Sequence, residues 1–182
     1  VKVLIIPEDQ TQDGFIAKPV VEALLRDLNI KSRVDVLPEP RLRGAGDALD
    51  PEVVRSIVEN NPMIDVFVLV VDRDCERKGN EAKALAREQE HPDKLVACVA
   101  IQELEVWMLA LHKDKVGDQW QDIRSHCDPK EKWAEPLLEQ LGTQGPGAGR
   151  KKAMQALKGQ MQTLLAKCDE LKTLRKKLEG LR

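Results

Sequence analysis

Residues 66–79 read VFVLVVDRDCERKG, an unbroken apolar run that ends on two acids. Val66–Val71 shows no alternation of apolar and polar residues. That is the pattern of a strand covered on both faces, as in the middle of a parallel sheet with crossover helices on either side. Working outward, similar runs occur at Val1–Ile6 and Leu95–Ile101, and Ser32–Leu37 alternates through Val34 and Val36. Between them Phe15, Ile16, Pro19, Val20, Leu24 and Leu28 recur with helical spacing. Pro19 suits a first helical turn, so this helix is expected to start late or kink. Asp50 followed by Pro51 reads as an N-cap and first position, opening a helix over 51–60. Gly79–Glu90 and Glu103–Leu111 also read as helices. The β-α-β-α-β-α-β-α order predicts an α/β fold over residues 1–112, with a mainly parallel four-stranded sheet flanked by helices.

Residues 113–182 read as a helical C-terminal extension. The stretch 113–130 is polar and poorly periodic, which predicts loops, and 132–141 predicts a short helix. A breaker at 142–149 precedes helical sequence that Gly159 and Lys167–Asp169 could divide. Met154, Leu157, Met161, Leu164, Cys168 and Leu171 alternate spacings of three and four, a narrow seam that packs on its own domain or on a second copy or partner protein.

The chain is 42% hydrophobic and 33% charged, enough to bury a core and stay soluble. No window approaches the roughly 18 to 20 apolar residues of a membrane span, and VKVLIIPEDQ at the start does not resemble a secretory signal. The four cysteines, at 75, 98, 127 and 168, show no close pairing. They read as reduced thiols of a cytoplasmic protein rather than zinc ligands. The histidines at 91, 112 and 126 form no ligand motif and read as surface residues. Residues 149–182 carry ten Lys/Arg against three Asp/Glu, or +7, which leaves -9 on the remainder of a chain whose net charge is -2. Such a body could hold a cation at one place and phosphate at another, or merely present solvated helices.

Asp72 and Asp74 follow directly on the central strand. Two apart in an extended chain, they point the same way and can converge on one cation; alternatively they form an ordinary surface turn. The first strand also ends in acids, Glu8 and Asp9, with Thr11 and Asp13 behind them. Ligand crevices in open α/β sheets lie at the carboxyl ends of strands where the strand order reverses. Should the first and third strands be neighbours, Glu8 meets Asp72 and Asp74 there. Clustered carboxylates repel, and oxygen donors of this kind suit Mg²⁺ or Mn²⁺.

A first strand ending in Glu8 and a later apolar strand ending in Asp72-Arg73-Asp74 resembles the Toprim fold of topoisomerases, bacterial primases and the overcoming-lysogenisation-defect nucleases. The resemblance spans about residues 1–111. It implies that Glu8, Asp72 and Asp74 are the catalytic, metal-binding acids, and that Glu76 fits the third position of the D-x-D-x-E version. Glu105-Val106-Trp107 is similar to an E-x-W helix of small bacterial Toprim-like proteins, several of which look like parts of phage-defence systems. That likeness implies Glu105 as a further metal or water ligand; a solvated helix glutamate is the other reading. Glu103 and Glu105, about 200° apart on a helix, cannot both face the site. Trp107 reads as core, or else as a base-stacking platform. Many Toprim proteins carry Glu-Gly where this chain has Glu8-Asp9.

Two loops could meet phosphate. GTQGPGAGRKK, residues 142–152, runs glycine-rich into Arg150, Lys151 and Lys152; it fails the Walker pattern, leaving a nucleic-acid phosphate contact or a plain connector. Arg41 and Arg43 sit in the Gly-rich loop after the second strand, either clamping a backbone or simply exposed. Aromatics are 3% of the chain, too few for an extended stacking surface. The chain has no tyrosine, so it cannot form the covalent intermediate of a topoisomerase alone, and about 70 residues after the α/β domain leave little room for primase modules. The expectation is a metal-dependent phosphodiester hydrolase using water on DNA or RNA. The alternatives are a non-catalytic module that binds nucleic acid or a partner protein, and a phosphohydrolase of small nucleotides.

Overall fold

The computed structural model describes residues 1–76 and 78–181. Four strands form one sheet: β1 (Lys2–Pro7), β2 (Arg33–Val36), β3 (Val66–Asp72) and β4 (Leu95–Ala100). Their order is β2-β1-β3-β4 and every pairing is parallel, with Ile6 opposite Leu69 and Pro7 opposite Val70. The fold is therefore α/β, as the apolar runs predict. The strand order reverses between β1 and β3.

Alternate residues of each strand feed two cores. Val3, Ile5, Val68, Val70 and Cys98 face α1 (Gly14–Asp27), α5 (Glu105–Ala110) and the C-terminal helices. Leu4, Ile6, Phe67, Leu69 and Ala97 face a layer made of α2 (Ala45–Ala48), α3 (Pro51–Asn60) and α4 (Asn80–Glu90). Phe67, Val68 and Leu69 are fully buried, which is why β3 shows no polar alternation. Asp50 caps α3 by accepting the Glu52 and Val53 amides, with Pro51 in the first turn where its missing N–H costs nothing.

Pro19 neither delays nor ends α1; it lies inside it. An internal proline costs about 3 kcal/mol. Burial of Ile16, Ala17, Val20, Val21, Leu24 and Leu25 against the sheet outweighs that penalty.

The stretch expected as loop after His112 contains α6 (Lys113–Val116) and α7 (Trp120–Ser125). Each is too short to show a period and is anchored by one buried side chain, Val116 or Ile123. A π turn over Lys130–Ala134 leads into α8 (Glu135–Leu141). Then come α9 (Arg150–Ala153), a 3-10 turn over Met154–Leu157, α10 (Met161–Lys167) and α11 (Asp169–Gly180), divided where Gly159 and the Lys167–Asp169 stretch suggest. Met154, Leu157, Leu164, Cys168 and Leu171 are buried in the same core as α1 and α5. The seam that could have served a second copy is thus consumed within its own chain. Glu170 at the start of α11 ties the layers together. Arg124 donates to both of its carboxylate oxygens, 2.9 and 2.8 Å, and the Trp107 indole N–H donates to one, 3.0 Å. Trp107 is fully buried, a core residue. His112 is buried too, with Nε2 2.9 Å from the Ala153 carbonyl oxygen, so it is not a surface residue.

The thiol expectation fails for half of the cysteines. Cys75 and Cys127, 52 residues apart, form a disulfide across a Cα–Cα distance of 5.4 Å, a pairing that spacing along the chain does not reveal. Cys98 and Cys168 are buried free thiols, raised in pKa by burial. Among the described residues no helix is long and apolar enough to cross a membrane.

Candidate functional site

The carboxyl ends of β1 and β3 deliver Glu8 and Asp72 side by side. Glu8 accepts the backbone N–H of Asp72 at 2.7 Å, bridging the two strands just beyond their last paired residues. Asp72 accepts the Leu104 amide through Oδ1 at 2.8 Å, and Asn80 donates to its carbonyl oxygen at 2.8 Å. Asp9 does not project into the site but starts a turn, accepting the Thr11 amide at 2.7 Å while its own N–H donates to Asp13.

Asp74 reaches the site by a different route from the one its spacing implies. β3 stops at Asp72, so alternation along a strand does not orient residue 74. Asp74, Cys75 and Glu76 instead occupy the left-handed region, with φ of 51, 50 and 60°. Each such non-glycine residue costs about 1 to 2 kcal/mol. The turn is pinned by the Asp74 amide on the Gln102 carbonyl oxygen, 3.0 Å, by the Cys75 amide on the Gln102 side chain, 3.1 Å, and by the disulfide to Cys127.

Glu8, Asp72, Asp74 and Glu103 all line one cleft of about 750 Å³. One wall is the segment from Arg43 to Pro51 that carries α2 and enters α3; the other is α4 and its lead-in, with Lys78, Asn80, Lys83 and Arg87. Burial, then the charges of Glu8, Asp13 and Glu105, raise Asp72 well above the usual carboxylate range. Glu8 is raised by burial, with Asp74 adding and the Asp72 amide and Lys78 opposing. Burial and Glu105 push Asp13 up to about 7, and burial with Glu105 and Glu131 pushes Glu103 to about 7. These acids hold protons, or attract a cation, at a pH where isolated carboxylates are ionised.

Apart from Arg43, the remaining sequence candidates lie outside the lining of this cleft. Glu105 is buried and turned inward, where Arg150 donates to it at 2.6 Å and Lys130 stands 3.9 Å away. Its carboxylate is engaged in this ion pair rather than presented in the cleft lining. Arg150 is correspondingly 3% exposed and not presented to phosphate. Lys152 is spent on the Leu141 carbonyl at the end of α8, whereas Lys151 is exposed. Two of the glycines of this loop are required by close packing. A Cβ at Gly147 would strike the Phe15 ring, and one at Gly149 would strike the Gly142 carbonyl oxygen. Glu76 pairs with Arg73 at 2.7 Å, outside the cleft lining. Arg41 is exposed and also outside it, while Arg43 lines it and pairs with Asp47 at 3.0 Å.

Glu103 replaces Glu105 as the acid that faces the cleft. The helix-angle argument does not apply, because α5 begins only at Glu105 and residue 103 precedes it. Sequence reasoning also overlooks Lys83 and Arg87, though their spacing of four on α4, the helix that follows the acidic turn, is a readable signal. The donor set is all oxygen and fits Mg²⁺ or Mn²⁺ in chemistry. Among the described residues, however, no group of three or more His, Cys, Asp or Glu side chains is already gathered to hold a metal ion. The carboxylates would have to turn toward it. Comparisons of the chain with family models, with characterised proteins and with solved structures return no match.

Proposed function

We propose that this chain is a divalent-cation-dependent phosphodiester hydrolase acting on nucleic acid. The observation that carries the reading is the meeting of Glu8, just after β1, with Asp72 at the end of β3 and Asp74 in the turn that follows, at one cleft where the strand order reverses. Keeping several desolvated acids together is unfavourable for stability alone, and perturbed carboxylates in a cleft point to function. Asp72 and Asp74 would hold Mg²⁺ or Mn²⁺, with Glu8 as a further ligand or as the base that orients water. When bound, the cation would supply charge for the phosphoryl oxygens and a more acidic water. Arg43, Lys78 and Lys83 would meet the phosphates, and Glu103, a half-buried acid of the same lining, would exchange a proton with water. Water is the nucleophile in this reading, because the chain has no tyrosine for a covalent intermediate.

The Toprim resemblance supports the same chemistry, and a place in phage defence comes from that resemblance alone. A second reading, a module that binds nucleic acid or a partner without turnover, is favoured by one feature: the Glu8, Asp72 and Glu105 carboxylates already have donors within the protein. Incubation with labelled DNA and RNA in Mg²⁺ or Mn²⁺ separates the two. Cleavage that disappears in Asp72→Ala supports the hydrolase; strand binding with no cleavage in either metal supports the module. Release of phosphate from nucleotides, with polymers untouched, would move the reading to a small-molecule phosphohydrolase.

A further inference from the structure

Resting on the hydrolase reading for the chemistry of the ligand, we infer that the cleft accepts a single nucleic-acid strand, gripped through its phosphates by Lys83 and Arg43 on its two walls, and excludes an intact duplex. The first support is size. A sphere of 750 Å³ is about 11 Å across, within the usual range for a small-ligand pocket. The major groove of a duplex alone is about 12 Å wide. Asp72 lies deep in the cleft, with only part of its side chain accessible, so a scissile phosphate must descend between the walls to reach it. One strand can do that; two paired strands cannot.

The second support is the distribution of charge. Most of the acids come from the strand ends and the segment after β4, with Asp50, the cap of α3, on one wall; cations stand on both walls, Arg43 (paired with Asp47) on one, and Lys78 (paired with Asp74), Lys83 and Arg87 on the other. Lys83 is exposed and has no ion-pair partner among the described residues. Arg87 bridges the walls by donating from Nη1 to the Leu49 carbonyl oxygen at 3.1 Å, and its buried Nε–H has no hydrogen-bond partner. A cation-lined gap over an acidic floor suits a polyanion whose charge is met on both sides while a divalent ion meets the acids.

The third support is what the lining lacks. Its apolar members are Ala45, Leu49 and Pro51, and no aromatic residue is among the described lining residues. Bases therefore have no platform to stack on, and recognition falls on the backbone. Binding should be indifferent to base sequence and steep in salt. The contacts are to phosphate, which DNA and RNA share.

The test is fluorescence anisotropy in EDTA, so that binding is read without turnover. The probes are labelled oligo(dT), oligo(U) and a mixed-sequence duplex, each of roughly 12 nucleotides or base pairs, a length that spans an ordinary single-strand site. The single strands are expected to bind at least about tenfold more tightly than the duplex. Lys83→Glu should weaken single-strand binding by about tenfold or more and flatten the log K against log salt slope by about 0.7 for each phosphate that is no longer neutralised. Lys151→Glu, an exposed change in the glycine-rich loop, should leave both unchanged. Equal affinity for duplex, indifference to Lys83→Glu, or no binding of either strand overturns the inference. Cleavage assays in Mn²⁺ keep the two readings apart. Duplex cut as readily as single strand sinks the single-strand cleft but leaves the hydrolase. Lys83-dependent strand binding without cleavage sinks the hydrolase but leaves the cleft. Unequal affinity for oligo(dT) and oligo(U), which differ in the 2′-hydroxyl and in the thymine methyl, would show a contact beyond the phosphates and overturn purely phosphate-based recognition.

Discussion

Replacing Asp13 by Asn should stabilise the metal-free protein at alkaline pH and leave it unchanged at acid pH. Asp13 sits behind the cleft, with its carboxylate taking the Asp9 N–H at 2.9 Å, and Asn keeps a carbonyl oxygen for that bond. Burial, then Glu105, Asp9 and Glu8, push its pKa from 3.8 to about 7. The folded chain therefore holds this proton more tightly than the unfolded chain does. Stability from that difference is fully present below 3.8 and is lost as pH rises through about 7. At 1.4 kcal/mol per pH unit, the gap sets a ceiling of about 4 kcal/mol on the cost of ionising Asp13 above pH 7. Asparagine never bears that cost, and relief of its neighbours acts in the same direction. Urea unfolding in EDTA across this window should show midpoints that coincide near pH 4 and separate to about 1 to 2 M by pH 8, for an m value of about 2 kcal/mol/M. A separation that does not change with pH, or a variant less stable than the parent at pH 8, would refute the crowding argument. Added Mn²⁺ should narrow the difference, because a bound cation takes over the neutralisation in the parent.

Arg150→Met should cost about 3 kcal/mol by leaving Glu105 a buried acid with only Lys130, 3.9 Å away, to offset its charge, and the Arg150→Met, Glu105→Gln double variant should recover much of that loss; thermal unfolding of all three chains reads it, and additive losses would refute the pairing. Reduction by a dithiol, or Cys127→Ser, should lower stability by about 4 kcal/mol on the loop-entropy estimate for the 52-residue separation. Thiol titration of the unfolded chain should give two reactive cysteines before reduction and four after; four from the start would refute the bond. Gly149→Ala, which forces a side chain at φ of 88° against the Gly142 carbonyl oxygen, should cost at least about 1 to 2 kcal/mol, measured by chemical denaturation; an unchanged midpoint would show that the loop gives way.

The sheet is legible in the sequence because burial on two faces leaves a mark that needs no context. A run such as Val66–Val71 admits few other folds, and a cap such as Asp50-Pro51 is local chemistry. The short elements after His112 are not legible, because four to six residues hold too little of a helical period to stand out. Pro19 misleads for a related reason: the local preference is real, but the buried face of α1 outweighs it.

The site divides along the same line. Glu8 and Asp72 close β1 and β3, so the parallel order fixes their meeting once the strands are known. Asp74 and Glu103 lie on backbone that is neither strand nor helix, and Glu105 is the first residue of α5. Left-handed φ at three successive non-glycine residues carries no sequence signature, and it redirects Asp74 out of the register its spacing suggests. A start to α5 at residue 105 rather than 103 is within the ordinary uncertainty of a helix boundary, yet it exchanges which glutamate faces the cleft and which meets Arg150. Arg150 shows the limit most plainly. Beside two lysines and after a run of glycines it has the look of a solvent-facing phosphate contact, but Gly147 and Gly149 pack closely against Phe15 and the Gly142 carbonyl, and the guanidinium turns inward to Glu105. The charge of a residue is written in the sequence; whether that charge meets a ligand or an internal partner is decided by a side chain 45 residues away.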